Sequence, residues 1–371
     1  MTDTHYPQSP HPETPIGPGY LVAGRYCLQS MIGGGGMSTV WLARDQLLDR
    51  DIAIKQVIST AGMTESAAAE MRQRALREGR IAARLSHNNA IAMHDVALEG
   101  GEPWLVMEYL PSHTLADILH RTGPLTTTAA AQLCAQVADA MATAHEAGIL
   151  HRDIKPANIL IAESGRNAGI VKITDFGISR IKDDAQLTQT GIITGTPAYF
   201  SPEVARGGDS TEASDVYSLG STLYAAVEGS PPFGSDENTL VLLHRVAAGT
   251  INRPQRAHEL EPLLRRMLSP DPAARPTMAE VRDQLIAIAT GESGTATTVL
   301  TAPALVPTAT APTVLSIPTA GPEHHQPYWM PHPSAASAPT YTSSPRALAA
   351  LILAVFIALS VLSLVLIVTL R

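Results

Sequence analysis

The chain is poor in cysteine and in positive charge, and each shortage excludes a class of protein. Its 371 residues include only two cysteines, Cys27 and Cys134, too few for a disulfide scaffold or a four-cysteine zinc site. Lysine and arginine number 26 against 34 acidic residues, and the net charge of −8 argues against a general nucleic-acid binder. We therefore expect reduced cysteines in a cytosolic compartment and no nucleic acid among the partners.

The N-terminus lacks a hydrophobic run, since residues 1–19 hold five prolines and two glycines. Nothing there resembles the apolar region of a signal peptide, and we expect a disordered leader. Residues 20–290 combine apolar periodicity with ordinary charge, and the hydrophobic content of 45% is enough to fill a core. The sequence therefore predicts one folded region over 20–290, within a chain long enough for about two or three domains.

The composition changes again at residue 291. Residues 291–346 contain ten prolines and ten threonines but only three charged residues, Glu292, Glu323 and Arg346. Large apolar residues recur there too rarely at helix or strand spacing to build a core. We expect a flexible, disordered linker, rich in threonine, proline and alanine, over the whole of 291–346.

The segment 347–370 is a run of 24 residues without any charge. A helix of that length rises about 36 Å, enough to cross a hydrocarbon core of about 30 Å with some tilt. A buried core helix rarely stays apolar on all sides for so long. The run therefore predicts one transmembrane helix that anchors the chain through its C-terminal part.

A glycine-rich turn lies between two predicted strands near the start of the folded region. Residues 32–40 read IGGGGMSTV. Successive glycines let backbone amides approach a phosphate where side chains would collide, although a glycine cluster alone also fits a plain flexible turn. An apolar strand then leads to Lys55, fifteen residues after Val40. Such a lysine is commonly a solvated strand end, but this spacing also puts its charge within reach of the same phosphates.

Two later segments carry metal ligands and a candidate base. Residues 151–158 read HRDIKPAN, and residues 171–177 read VKITDFG. Asn158 follows Asp153 by five residues, and Asp175 ends a strand, so these residues offer the hard oxygen donors that magnesium prefers. Phosphoryl transfer needs cationic cover for the phosphates, metal ligands and a carboxylate that orients the attacking hydroxyl. The ordered set of segments indicates that chemistry.

These motifs resemble those of the eukaryotic-type (Hanks-type) serine/threonine protein kinases, in particular the membrane-anchored bacterial group. The resemblance covers residues 20–290. It implies an α+β fold of two lobes: a small antiparallel sheet with one helix, the C helix, over about 20–109, and a larger, mainly helical lobe over about 110–290. The family pattern G-x-G-x-x-G-x-V falls on Gly33, Gly35, Ser38 and Val40, so serine replaces the third glycine.

The resemblance also implies roles for the charged residues. Asp153 matches the catalytic base, Lys55 the lysine that contacts the α- and β-phosphates, and Asn158 and Asp175 the magnesium ligands. Lys155, two residues past Asp153, is the version of this loop that serine/threonine kinases carry.

An ATP site is implied between the lobes, with Met107 as the gatekeeper next to the hinge. Glu78 is the expected partner of Lys55 on the C helix, and Glu70 is the alternative. The residues expected around ATP are Ile32, Gly33, Gly34, Gly35, Gly36, Met37, Ser38, Val40, Ala53, Lys55, Glu78, Met107, Glu108 and Leu110.

Three charged residues of the larger lobe match scaffold positions of the family. By resemblance, Glu203 of the Ser-Pro-Glu triplet pairs with Arg275, and Asp215 anchors the catalytic loop from a buried helix. We do not expect them to take part in catalysis.

The activation segment, between Gly177 and Ser201, contains Thr188 and Thr190. Kinases with an Arg-Asp pair such as Arg152 and Asp153 are similar in using the arginine to grip a phosphorylated activation loop, because a phosphate forms charge-assisted hydrogen bonds with it. We predict autophosphorylation at both threonines; a merely solvated polar loop is the alternative.

The linker contains one repeat, TVLTAP over 298–303 and TVLSIP over 313–318. Chance recurrence in a segment biased toward threonine, proline and alanine is the favoured explanation. The alternative hypothesis is a pair of phosphothreonine sites for a reading domain of the forkhead-associated kind.

The sequence as a whole predicts an ATP-dependent serine/threonine protein kinase that phosphorylates proteins. ATP and Mg²⁺, with Mn²⁺ as an alternative metal, are the expected cofactors. Membrane lipid around the C-terminal helix and a homodimer are further expected partners. Because ATP is cytosolic, the kinase domain is expected on the cytoplasmic side of the cell membrane, in a single-pass protein.

A membrane-tethered pseudokinase scaffold is the alternative, but its signature, loss of Lys55, Asp153 or Asp175, is not seen. A small-molecule kinase fits the activation segment less well.

Overall fold

The computed structural model describes residues 15–35, 38–56, 64–163, 167–176, 197–236, 238–290 and 295–306. All of them belong to the first of two compact units, Met1–Ala311. A small lobe made mostly of sheet is followed by a larger, mainly helical lobe, which confirms the predicted α+β, two-lobed fold.

A six-stranded antiparallel sheet forms the small lobe, with the strand order β1-β2-β3-β4-β6-β5. Alternate side chains of its strands are buried on one face, as the period of two residues in a strand requires. The opposite face carries Ala53, Leu105 and Met107 and packs against Ala75 of helix α1 (Glu65–Ala82). The strands are β1 (Leu21–Val22), β2 (Tyr26–Gly35), β3 (Ser38–Asp45), β4 (Arg50–Gln56), β5 (Met93–Glu99) and β6 (Glu102–Glu108).

The larger lobe is built around helix α3 (Thr127–Glu146), which is buried along most of its length. Its many alanines allow neighbouring helices to approach closely. A small sheet of β7 (Ser112–Thr114), β8 (Ile159–Ala162) and β9 (Val171–Ile173) lies beside it. The other helices are α2 (Leu115–Thr122), α4 (Pro202–Ala205), α5 (Glu212–Glu228), α6 (Thr239–Ala248), α7 (Glu261–Met267), α8 (Met278–Thr290) and α9 (Ala296–Thr301).

The structure corrects the prediction of a flexible linker over 295–306, a segment that we call the strap. Here the chain forms α9 and packs on α3 and α8. Val299 is 6% exposed within the main core, and the side chains of Gln132 and Gln136 donate hydrogen bonds to carbonyls of the strap. Val299 is buried, and Leu300, Ala304 and Val306 pack against the same core while partly exposed. These residues do not recur at a regular helix or strand spacing, so composition alone missed this docking. Residues 291–294 and 307–346 lie outside the described residues.

No helix within the described ranges is long and apolar enough to span a bilayer. The predicted transmembrane segment 347–370 is not among those ranges, nor is most of the predicted leader.

Candidate active site

A cleft of about 490 Å³ lies between the two lobes, where the ATP site was expected. The hairpin of β2 and β3, strand β4, the hinge after β6 and strand β8 all contribute to its walls. The residues of the predicted ATP set that line it are Ile32, Gly33, Val40, Ala53, Met107, Glu108 and Leu110.

The remaining glycine-rich residues fall at the tip of the same hairpin. Gly34 pairs with Thr39, and Gly35 pairs with Ser38, in the antiparallel register of β2 and β3. The predicted contacts of Gly36 and Met37 lie outside the described residues.

The cleft also contains residues that sequence reasoning missed, notably Ile91 and Leu160. Leu160 is partly exposed between Ile159 and Ile161, which are buried in β8. Neighbouring side chains of a strand point to opposite faces, so Leu160 points into the cleft. This alternation directly after Asn158 is the signal that could have identified it.

The loop over residues 151–158 holds Asp153 between two polar partners. Lys155 Nζ donates to both carboxylate oxygens of Asp153, at 3.0 and 2.7 Å. The side-chain nitrogen of Asn158 donates to the Asp153 carbonyl at 2.8 Å and to its carboxylate at 3.0 Å. Since these bonds fix the carboxylate, it is positioned to accept a hydrogen bond from an incoming hydroxyl.

Asp215 of α5 anchors this loop, which confirms its predicted role. Its carboxylate accepts the backbone N–H groups of His151, at 2.9 Å, and Arg152, at 2.8 Å. His145 contacts the same carboxylate at 3.0 Å. The backbone of Arg152 has a φ of +68°, a costly conformation for a residue other than glycine, so these bonds stabilise a strained turn.

Lys55 reaches the site from β4 and forms an ion pair with Asp175. Its Nζ lies 2.8 Å from the Asp175 carboxylate, and the two side chains are 13% and 26% exposed. Burial alone would raise the pKa of Asp175, but the positive charge and hydrogen bond of Lys55 outweigh it and hold that pKa below its usual range. Asp175 is therefore ionised at neutral pH and can bind a cation.

The structure gives Glu78 a different partner from the predicted one. Glu78 lies on α1, the C helix of the resemblance, and its carboxylate is 3.7 Å from the guanidinium of Arg152, whereas Lys55 is paired with Asp175. Partner choice between two carboxylates depends on where α1 sits relative to the sheet, which motif spacing does not specify. Thr188 and Thr190 are outside the described residues.

The predicted pair of Glu203 and Arg275 is confirmed. Two hydrogen bonds, of 2.7 and 2.8 Å, join the guanidinium to the carboxylate, and the Arg275 side chain is fully buried. Burial by itself would raise the pKa of Glu203, but the hydrogen bonds from Arg275 outweigh this effect. The pKa of Glu203 is therefore lowered to about 2. This pair ties α4 to the turn before α8 and does not line the cleft.

A divalent cation fits the donors that the site offers. The amide nitrogen of Asn158 is used by Asp153, which leaves its oxygen for a metal, and Asp175 supplies an ionised carboxylate. Such hard oxygen ligands are typical of cations bound jointly by protein and nucleotide phosphates. Within the described part of the chain, no cluster of three or more histidine, cysteine or acidic residues could hold a metal by itself.

Comparison with known proteins agrees with this geometry. A family model for the protein kinase domain matches residues 26–285. The serine/threonine-protein kinase PknB of Mycobacterium leprae is 41% identical over 288 residues, covering 75% of this chain and 45% of that protein. The serine/threonine-protein kinase PkaA of Streptomyces coelicolor is 37% identical over 278 residues, covering 73% and 51%.

A crystal structure of the PknI kinase domain of Mycobacterium tuberculosis has a TM-score of 0.56 and 28% identity, covering 74% of this chain and 99% of that one. The chain spans about half the length of the curated relatives it matches. These matches and the cleft agree on one family. The chain belongs to the protein kinase family, among the bacterial eukaryotic-type serine/threonine kinases.

Proposed function

We propose that this protein is an active serine/threonine protein kinase that transfers the γ-phosphoryl group of ATP to hydroxyl groups of other proteins. The observation that carries the proposal is the arrangement of Asp153, whose carboxylate is held by Lys155 and Asn158. A pseudokinase scaffold is not supported, because Lys55, Asp153 and Asp175 are all present.

Each charged residue has a task in this reaction. Asp153 accepts the proton of the substrate hydroxyl and orients its oxygen toward the phosphorus atom. Lys155 adds positive charge beside the transferring group, and Lys55 contacts the α- and β-phosphates. Asn158 and Asp175 would hold Mg²⁺, or Mn²⁺, which neutralises charge on the phosphate oxygens.

The direct test uses the full chain in detergent, treated with phosphatase and then incubated with Mg²⁺, radiolabelled ATP and a protein rich in serine, threonine and tyrosine. We expect label on serine and threonine and none on tyrosine. Nucleotide binding without any transfer would contradict the proposal and favour the scaffold.

We further propose that phosphorylation of Thr188 and Thr190 activates the kinase through Arg152. In the structure Arg152 lies 3.7 Å from Glu78. A phosphate of charge about −1.5 to −2 competes for this guanidinium, so the contact between Arg152 and Glu78 is replaced and Glu78 can approach Lys55. Activation would then consist of an exchange of partners among four charged side chains: Arg152, Glu78, Lys55 and its present partner Asp175.

The double change of Thr188 and Thr190 to alanine tests this switch. We expect activity to fall about tenfold or more, because one or two charge-assisted hydrogen bonds of about 1.5–3 kcal/mol are lost. The measurement is the initial rate of substrate phosphorylation, with phosphosites mapped by mass spectrometry. Thr250→Ala, at an exposed loop position, is the matched control. Full activity in the double variant would refute the switch.

The C-terminal part suggests a location and further partners. We propose that 347–370 anchors the chain in the cell membrane with the kinase domain in the cytoplasm, and that the kinase forms a homodimer. Membrane fractionation of the full chain beside a chain ending at residue 346 tests the anchor, and cross-linking in native membranes tests the dimer.

The threonine repeat remains a proposed docking site for phosphothreonine-reading proteins. Thr298 is an exposed residue of α9 and precedes the buried Val299, so it lies at the surface while the strap is docked. Phosphosite mapping that finds residues 295–320 unmodified would rule this out.

A further inference from the structure

Two buried glutamines of α3 bind the strap mainly through its backbone. Gln136 donates both amide protons to it, one to the Val299 carbonyl at 3.0 Å and one to the Ala302 carbonyl at 2.9 Å. Gln132 donates to the Pro303 carbonyl at 3.0 Å and accepts the N–H of Leu305 at 3.1 Å. Both glutamines therefore hold the strap in place.

Of these two glutamines, only Gln136 also has a hydrogen-bond partner on the side of α3 that faces β9. Its side-chain oxygen accepts a hydrogen bond from Asn89 at 3.2 Å, and the same Asn89 nitrogen donates to the Val171 carbonyl at 2.8 Å. Gln136 is 1% exposed and Asn89 5% exposed. With every amide hydrogen-bonding group of Gln136 occupied, its side chain cannot turn without breaking bonds on both sides.

The connection continues from Asn89 into the cleft. The Asn89 carbonyl accepts the N–H of Ile173 at 2.9 Å, and the Ile173 carbonyl accepts the N–H of Ile91 at 2.9 Å. Ile91 lines the nucleotide cleft, and Asp175 follows Ile173 by two residues. Asn89 is therefore hydrogen-bonded to β9, which ends two residues before Asp175.

We propose that Gln136 is a positioning residue that couples docking of the strap to binding of the metal–nucleotide complex. A docked strap holds the Gln136 side chain in one orientation, and Gln136 in turn holds Asn89 in place. Asn89 thereby positions β9 and the residues that lead from it to Asp175. The strap is thereby an in-cis regulatory segment: whatever pulls it from α3 weakens nucleotide binding. The inference rests on the proposed function only in that the cleft binds nucleotide. Its tests measure nucleotide binding and not phosphoryl transfer, so a protein that binds nucleotide without transferring phosphate still tests the coupling.

Thermodynamic linkage supplies the first test, because a coupling between two sites acts equally in both directions. Hydrogen exchange of the Ala304 amide, which donates to the Gly169 carbonyl at 2.8 Å, reports opening of the strap. In the full chain in detergent, saturating Mg²⁺ and the non-hydrolysable analogue AMP-PNP should slow this exchange about fivefold or more, the lower end of usual coupling. Unchanged exchange would overturn the proposal.

Gln136→Leu and Gln132→Leu form a matched pair, since both remove a strap-binding amide but only Gln136 contacts Asn89. Both should speed basal exchange of the strap. Protection by nucleotide should disappear in Gln136→Leu and persist in Gln132→Leu. Equal behaviour of the two variants would show a purely structural role and refute the relay.

A second pair changes the strap itself and leaves the residues of α3 unchanged. Val299→Asp puts a carboxylate into the buried anchor position, whereas Thr297→Asp adds the same charge at an exposed position of α9. Val299→Asp should release the strap and raise the Kd for Mg²⁺–AMP-PNP about fivefold or more, the factor by which nucleotide slows exchange of the strap. Thr297→Asp should change neither the exchange of the strap nor this Kd. A released strap with an unchanged Kd, or an equal effect of both variants, would contradict the proposal.

Discussion

Replacing Asp153 by asparagine is expected to lower kcat for protein phosphorylation by about a thousandfold, because general-base catalysis contributes roughly 10²–10⁴. The amide cannot accept the proton of the substrate hydroxyl. Its oxygen can still accept a hydrogen bond from Lys155, which lies 2.7 Å from the carboxylate in the wild type. The loss should therefore appear in kcat, with little change in nucleotide affinity.

The measurement is the steady-state rate at saturating ATP, together with the Kd for Mg²⁺–AMP-PNP. Asp51→Asn, which removes a half-exposed carboxylate of β4 that pairs with Arg44, is the matched control and should leave kcat unchanged. If Asp153→Asn kept activity within tenfold of the wild type, the assignment of the base would be wrong.

Replacing Arg275 by methionine should destabilise the larger lobe by about 3–5 kcal/mol, the usual cost of removing one partner of a buried ion pair. Methionine retains much of the apolar stem but leaves the Glu203 carboxylate without its two guanidinium bonds. The carbonyls of Ser269 and Ala213 lose a donor as well. Denaturant unfolding of the full chain measures the change in the free energy of unfolding.

Arg265→Met is the matched control for this substitution. Arg265 is 77% exposed and pairs with Glu261 across one turn of α7. Exposed pairs contribute little, so its loss should change the free energy of unfolding by about 0.5 kcal/mol or less. A loss in Arg275→Met no larger than in this control would mean that the buried pair does not stabilise the lobe.

The same pair predicts an acid dependence with a definite direction. The pKa of Glu203 falls from an ordinary 4.5 to about 2 in the folded protein. A depressed folded-state pKa stabilises the fold above the unfolded value, and this stabilisation disappears as the pH falls from about 4.5 toward 2. Arg275→Met should therefore lose less stability than the wild type over this range; parallel acid profiles would contradict the assignment.

The residues that we propose for phosphoryl transfer could be named from the sequence because they lie close together along the chain. Asp153, Lys155 and Asn158 lie within six consecutive residues of one loop, so local spacing largely determines how they meet. The glycine-rich turn and Lys55 are likewise joined by the hairpin of β2 and β3 and by β4, which follow one another directly along the chain. The two-lobed fold followed from the same motifs through family resemblance.

Contacts between distant segments required the folded chain. Lys55 could pair with either of two carboxylates, and the position of α1 assigns it Asp175 and assigns Glu78 to Arg152. The strap looked like linker because its composition lacks a periodic apolar face. Its docking depends on Gln132 and Gln136, which lie more than 160 residues earlier in the chain.

The physical reason is the same in both cases. A motif identifies residues whose side chains are chemically suited to a reaction. A short separation in sequence also limits the distance between these side chains in the folded chain. A buried polar group must find a hydrogen-bond partner, but several partners satisfy that requirement equally well. Packing of α1 on the sheet and of the strap on α3 selects among them. The candidate catalytic groups could therefore be named from the chain, whereas the pairing of Lys55 and the position of residues 295–306 are decided only by the tertiary structure.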